Sequence, residues 1–151
     1  MALGAIRLAL STTWHVFPIE IYFVRDDALE RLLGYHGLRY YLVNAWYVSF
    51  RIWRVEVSEA RPHGIRYSFT LHDELSARLL GFDNAHGVPK QMAHDHRHSF
   101  RRTKQIVEDW FVSADKLLSD FMTAVGEACR SENVEFLFVE KERELGEDVG
   151  D

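Results

Sequence analysis

The stretch RPHGIRYSFTLHD, residues 61–73, decides the fold. Arg61–Gly64 is turn chemistry, with a proline that sets one dihedral and a glycine that frees the next. Behind it the chain alternates without a break. Ile65, Tyr67, Phe69 and Leu71 take one side, while Arg66, Ser68, Thr70 and His72 take the other. A period of two with aromatic and branched residues on the apolar side predicts a half-buried strand.

Upstream, AWYVSFRIWRVEV (residues 45–57) is a second strand of the same kind. Trp46, Val48, Phe50 and Ile52 share a face; Trp53, Val55 and Val57 then take the opposite parity, which predicts a bulge or twist near Ile52. Downstream, RLLGF (residues 78–82) is a third strand, followed by the turn-rich DNAHGVPK (residues 83–90). Tight connections between short strands imply antiparallel pairing. KQIVEDWFV (residues 104–112) and VEFLFV (residues 134–139) read as further strands. VFPIEIYFV (residues 16–24) reads as an edge strand broken by Pro18, and DDALERLLG as a short helix stopped at Gly34.

Ser113 is a helix N-cap, and Ala114, Leu117, Leu118, Phe121, Met122 and Val125 recur at intervals of three and four. That stripe must cover the apolar face of the sheet, because neither element can bury its hydrophobic side alone. The expected fold is α+β: a twisted antiparallel sheet of four to five strands with one main C-terminal helix packed on one face. The chain divides into an N-terminal extension (1–34), an α+β domain (35–130), and a short strand with an acidic tail (131–151).

With 151 residues, 47% of them hydrophobic, the chain can bury a core without staples. The single cysteine, Cys129, excludes an internal disulfide framework and every cysteine-rich zinc scheme, and fits a reducing cytoplasm. The opening MALGAIRLALSTTW has a faint leader-like character, but Arg7 splits its apolar run and no cleavage site follows. No window is apolar for long enough to cross a bilayer. The net charge of −5 is unevenly spread. Residues 39–104 hold eleven basic and six acidic residues; residues 105–151 hold four basic and thirteen acidic. A basic region of this kind can hold phosphates whatever the overall sign.

Within that basic region lies NAHGVPKQMAHDHRHSFRR, residues 84–102, with four of the eight histidines. Three readings compete: a metal site, a metal-free acid/base site on a phosphate, and a solvated loop. If DHRH is extended, His96 and His98 point to one side with Arg97 on the other, and His94 shares the histidine side. Three successive same-side residues span roughly 13 Å, too far to share one ion. A metal would need His96 and His98 together with Asp83 or His86 from the neighbouring loop. The metal-free scheme needs no cofactor. Two imidazoles can hold opposite protonation states near neutrality, and Arg66, Arg97, Arg101, Arg102 and Lys104 supply cations for a phosphate. His63 reads as a turn residue and His72 as a strand-end residue bonded to backbone.

The ordered set RPHGIRYSFTLHD, RLLGFDNAHGV, DHRH and FVSADKLLSDFMTAV resembles TumE-type proteins, toxins of a bacterial toxin–antitoxin system. The resemblance runs from about Tyr35 to Ala128, and its most specific pieces are GFDN, DHRH and SADKLLSDF. Asp83, Asn84, Asp95, His96 and His98 match the family pattern; His94 does not, which counts against a three-histidine site. The resemblance implies a cytoplasmic toxin restrained by a cognate antitoxin, with no membrane role. Joined to the chemistry above, it makes His96, His98, Asp83 and Asp95 the candidate catalytic residues of a small endoribonuclease acting on RNA. The five cations named above would bind the nucleic acid. A non-catalytic binding module and a metal-dependent nuclease or hydrolase are the alternatives.

Overall fold

The computed structural model describes residues 26–84 and 95–144. Two helices and seven strands follow one another as α1 (Asp27–Leu33), β1 (Leu38–Leu42), β2 (Tyr47–Arg54), β3 (Ile65–His72), β4 (Arg78–Asp83), β5 (His96–Ser99), β6 (Arg102–Glu108), α2 (Ala114–Ser131) and β7 (Phe138–Arg143). All the pairings are antiparallel, in the spatial order β6-β5-β4-β3-β2-β1-β7. The first six strands form a meander. β6 and β7 lie at opposite edges, so α2, which joins them, must cross the sheet.

The α+β class stands, but the sheet is larger than the four to five strands expected. β1, LRYYL, contains no clear alternation of apolar and polar residues, and it gains its place by pairing β2 on one side and β7 on the other. β7 begins at the end of VEFLFV and runs on into charged EKER, where the sequence reads as a solvated tail. There the pairing is held by backbone bonds, with Glu142 accepting from the Tyr41 hydroxyl at 2.8 Å. Of the bulge or twist expected near Ile52, the bulge is absent. β2 pairs β3 in unbroken register from Tyr47 to Arg54, and Trp53 simply occupies the other face, edge-on to His36 and under Arg66. The strand expected at residues 16–24 lies outside the described residues.

One face of the sheet holds the core. Cross-strand register places Phe50, Phe69 and Phe82 side by side, and the Phe121 ring of α2 lies 5.4–5.7 Å from all three. Leu117, Val125, Ala128 and Cys129 complete the buried stripe of the helix, while Leu118 and Met122 flank it half-buried. Ser113 caps α2 as expected by accepting from Lys116 N at 3.1 Å. The short helix read at DDALERLLG is α1: Asp26 caps it, and Leu32 enters the same core. Gly37, at φ +74°, makes the left-handed turn into β1, and its backbone bonds both Phe50 and Glu144.

Candidate functional site

Backbone register builds the site. Asp83, the last residue of β4, stands directly opposite His96 of β5, and Gly81 stands opposite His98. Because side chains alternate along a strand, Asp83, His96 and His98 emerge on one face, opposite to that covered by α2. Ser68, the partner of Asp83 on β3, and therefore Arg66 two residues along share that face. Phe82 and Arg97, the intervening residues, face the helix side.

The Asp83 carboxylate joins the two histidines. Its Oδ1 lies 2.8 Å from His96 Nε2 and its Oδ2 lies 3.1 Å from His98 Nε2. Two imidazoles and a carboxylate are nearly lost to solvent here, with relative exposures of 4% for Asp83, 3% for His96 and 9% for His98. The rings meet edge-to-face, their centroids 5.2 Å apart. His98 Nδ1 lies 2.6 Å from the carbonyl of Thr103. Beyond His98 the β5–β6 pairing breaks register, so that extra residues of β6 bow out and turn this carbonyl toward the ring. A carbonyl only accepts, so Nδ1 carries a hydrogen, and the contact between Nε2 and Asp83 requires one more proton on either the nitrogen or the oxygen. The arrangement can thus hold and pass a proton. Its three ligand atoms also lie within 4.8 Å of one another, close enough to be drawn onto one ion.

Not every candidate joins this centre. Asp95 lies on the helix side, where its Oδ1 accepts from the Tyr67 hydroxyl at 2.8 Å. Arg97 lies there too, over the Phe82 ring and bonded to Asp109 at 2.6 Å and Asp120 at 3.3 Å. Burial alone would lower its pKa, but the two carboxylates outweigh that and raise it, which keeps the guanidinium charged and committed. Arg101 occupies the positive-φ turn between β5 and β6 and pairs with Glu132 at 2.8 Å. Arg102 and Lys104 are exposed. Arg66 lies with its guanidinium carbon 5.0 Å from the Trp53 ring centroid; its Nε is buried and has no hydrogen-bond partner among the described residues. His86 and His94 fall outside the described residues.

Two supporting groups were not among the candidate site residues, although Asn84 matches the family pattern. Asn84, which with Asp83 has the composition of a turn, is instead buried: its Oδ1 accepts from Tyr67 N at 2.9 Å and its Nδ2 donates to Ile65 O at 3.0 Å. It locks β4 to β3 beside the centre. Thr103 contributes only a carbonyl, which leaves no trace in residue type. The lesser histidines fall much as read: His72 bonds the Ser76 carbonyl and the Thr70 hydroxyl, and His63, within the turn at residues 61–64, stacks on Phe111. Among the described residues no helix is long and apolar enough to cross a membrane.

The family model described as Toxin TumE matches residues 15–128. Neither a curated protein nor a solved structure matches the chain significantly. The matched span starts twenty residues before Tyr35 and takes in α1, whose Leu32 is part of the core. It also contains Asp83, His96, His98 and all but the last turn of α2. The chain belongs to the TumE family of toxins.

Proposed function

We propose that this toxin acts in the cytoplasm as a small endoribonuclease and is held in check by a cognate antitoxin. One observation carries the reading: a single buried carboxylate, Asp83, grips both His96 and His98 on a sheet face that also bears Arg66. Cleavage of RNA by its own 2′-hydroxyl needs a group to take the hydroxyl proton, a group to return one to the leaving oxygen, and a cation on the phosphate. His98, with 11% of its side chain exposed, is the ring that meets the substrate, exchanging a proton at Nε2 once that nitrogen turns from Asp83 while Nδ1 stays on Thr103. Asp83 and Thr103 hold that ring and its hydrogen in one orientation, and His96 shares the proton through the same carboxylate. Among the described residues Arg66 makes no ion pair, so its guanidinium is the natural phosphate contact. The scheme requires no cofactor. An antitoxin segment rich in acidic residues would suit the exposed Arg102 and Lys104, whose charge speeds encounter.

The test is incubation of the purified protein with RNA, with and without EDTA. Cleavage that survives the chelator and disappears in the His96→Ala/His98→Ala variant supports the assignment; intact RNA under every condition sinks it. The near-complete burial of Asp83 and His96 favours a second reading, a binding module in which the triad only braces the sheet. A protein that arrests growth while leaving RNA whole would support that alternative.

A further inference from the structure

Asp83, His96 and His98 offer one oxygen and two nitrogens, all within 4.8 Å of one another. A four-coordinate zinc ion with bonds of about 2.0–2.1 Å keeps its ligand atoms roughly 3.4 Å apart. His96 Nε2 lies 2.8 Å from Asp83 Oδ1 and His98 Nε2 lies 3.1 Å from Asp83 Oδ2, one ring to each oxygen, and one oxygen with the two nitrogens stays within 4.8 Å. The cluster therefore reaches that geometry if its rings and carboxylate shift by about an ångström. Two imidazoles with one carboxylate suit zinc, cobalt, nickel or iron better than magnesium or calcium, which prefer all-oxygen shells.

Two further features point the same way. A histidine that binds metal through one nitrogen commonly donates its other ring N–H to a carbonyl or carboxylate, which fixes the tautomer. His98 has that arrangement, with Nδ1 on the Thr103 carbonyl at 2.6 Å and Nε2 directed into the cluster. The donors also come from neighbouring rungs of one ladder, Asp83 opposite His96 and Gly81 opposite His98, so the sheet positions them before any ion arrives. Burial shields them from competing water.

We infer that Asp83, His96 and His98 form a binding site for one divalent transition-metal ion of the zinc type. The assignment rests on the ligand geometry and is independent of the ribonuclease reading. An ion held there replaces the hydrogens between the carboxylate and the rings and occupies both Nε2 atoms. The loaded protein is then expected to cleave RNA more slowly than the chelated one. A cleavage reaction that instead demanded metal would overturn the imidazole-only chemistry and leave the site intact.

The experiment uses the full chain, stripped with EDTA and dialysed. Zinc is titrated in competition with a chromogenic chelator, and cobalt is followed by its visible absorption. Binding of one equivalent is expected, with a rise in the thermal midpoint. Both effects should be lost in Asp83→Ala and weakened at least about tenfold in His98→Gln. The glutamine variant keeps a donor for Thr103, so it guards against a fold lost through the alanine change, and far-UV circular dichroism checks both. His63→Ala, away from the centre, should bind as the wild type does. Failure to bind zinc at about 100 µM, or His98→Gln binding within about twofold of wild type, would overturn the site whatever the RNA assay returns.

Discussion

The Tyr67 hydroxyl of β3 donates to Asp95 Oδ1 at 2.8 Å, reaching past β4 to the residue that precedes β5. The contact lies under the sheet while Asp83 grips His96 and His98 on the opposite face, so the strand carrying both histidines is held from two sides. Burial, followed by the charge and hydrogen bond of Asp95, pushes the Tyr67 phenol far above its ordinary value.

Tyr67→Phe removes the donor and leaves the buried Asp95 carboxylate short of a partner. The expected loss is about 1–3 kcal/mol, read from the urea midpoint. A second signature is alkaline. Because the folded phenol holds its proton more tightly than the unfolded one, its contribution is fully present below the ordinary value of 10.0 and lost as pH rises beyond it. Wild type should weaken above that pH by more than Tyr67→Phe does. Equal alkaline slopes would show that burial and Asp95 do not hold the proton on the phenol.

Phe121 joins the helix to three strands through the rings of Phe50, Phe69 and Phe82, and its side chain is fully buried. Phe121→Ala should cost about 3–5 kcal/mol as a core cavity. A loss below about 0.5 kcal/mol, the range of surface changes, would mean that α2 packs elsewhere.

His72 gives a pH dependence of the opposite sign to Tyr67. Burial lowers its pKa, and Arg39 and Arg78 lower it further, against the Ser76 carbonyl and Asp73, which raise it. A depressed folded value means that the stability is present above the ordinary 6.5 and lost as pH falls below it. The thermal midpoint of wild type should therefore drop more steeply between pH 7.5 and 5.5 than that of His72→Gln. Parallel curves would remove His72 from the account.

Cys129 is wholly buried on α2, and burial raises its thiol pKa. An aromatic disulfide reagent at neutral pH should react with it only as the protein opens, at a rate that rises with urea in step with unfolding. Rapid labelling of the native protein would contradict the packing of the last turns of α2.

Much of the fold was legible in sequence because its signals are local. The alternation of Ile65, Tyr67, Phe69 and Leu71 follows from the two-residue repeat of a strand, and the spacing of Leu117, Phe121 and Val125 from the turn of a helix. Ser113 caps by chemistry that acts across three residues. The split of His96 and His98 from Arg97 also follows from strand geometry alone. β1 escaped because its mixed side chains carry no apolar rhythm, and the charged second half of β7 because its place is set by pairing with β1 across about a hundred residues of chain.

The candidate site divides in the same way. Residue type and spacing selected Asp83, His96, His98 and Arg66 as polar groups suited to phosphate or metal chemistry. They could not say that one carboxylate would grip both rings, since that depends on the register between β4 and β5 and on the irregularity that turns Thr103 toward His98. Nor could they name the groups that wait on the helix side: Arg97, already split from the histidines by alternation, is claimed there by Asp109 and Asp120, and Asp95, a catalytic candidate by type, by Tyr67. Sequence determined which groups were present and which alternated. Tertiary structure decided which of them meet, because hydrogen bonds and ion pairs act only over a few ångströms, and only the packed sheet brings distant residues that close.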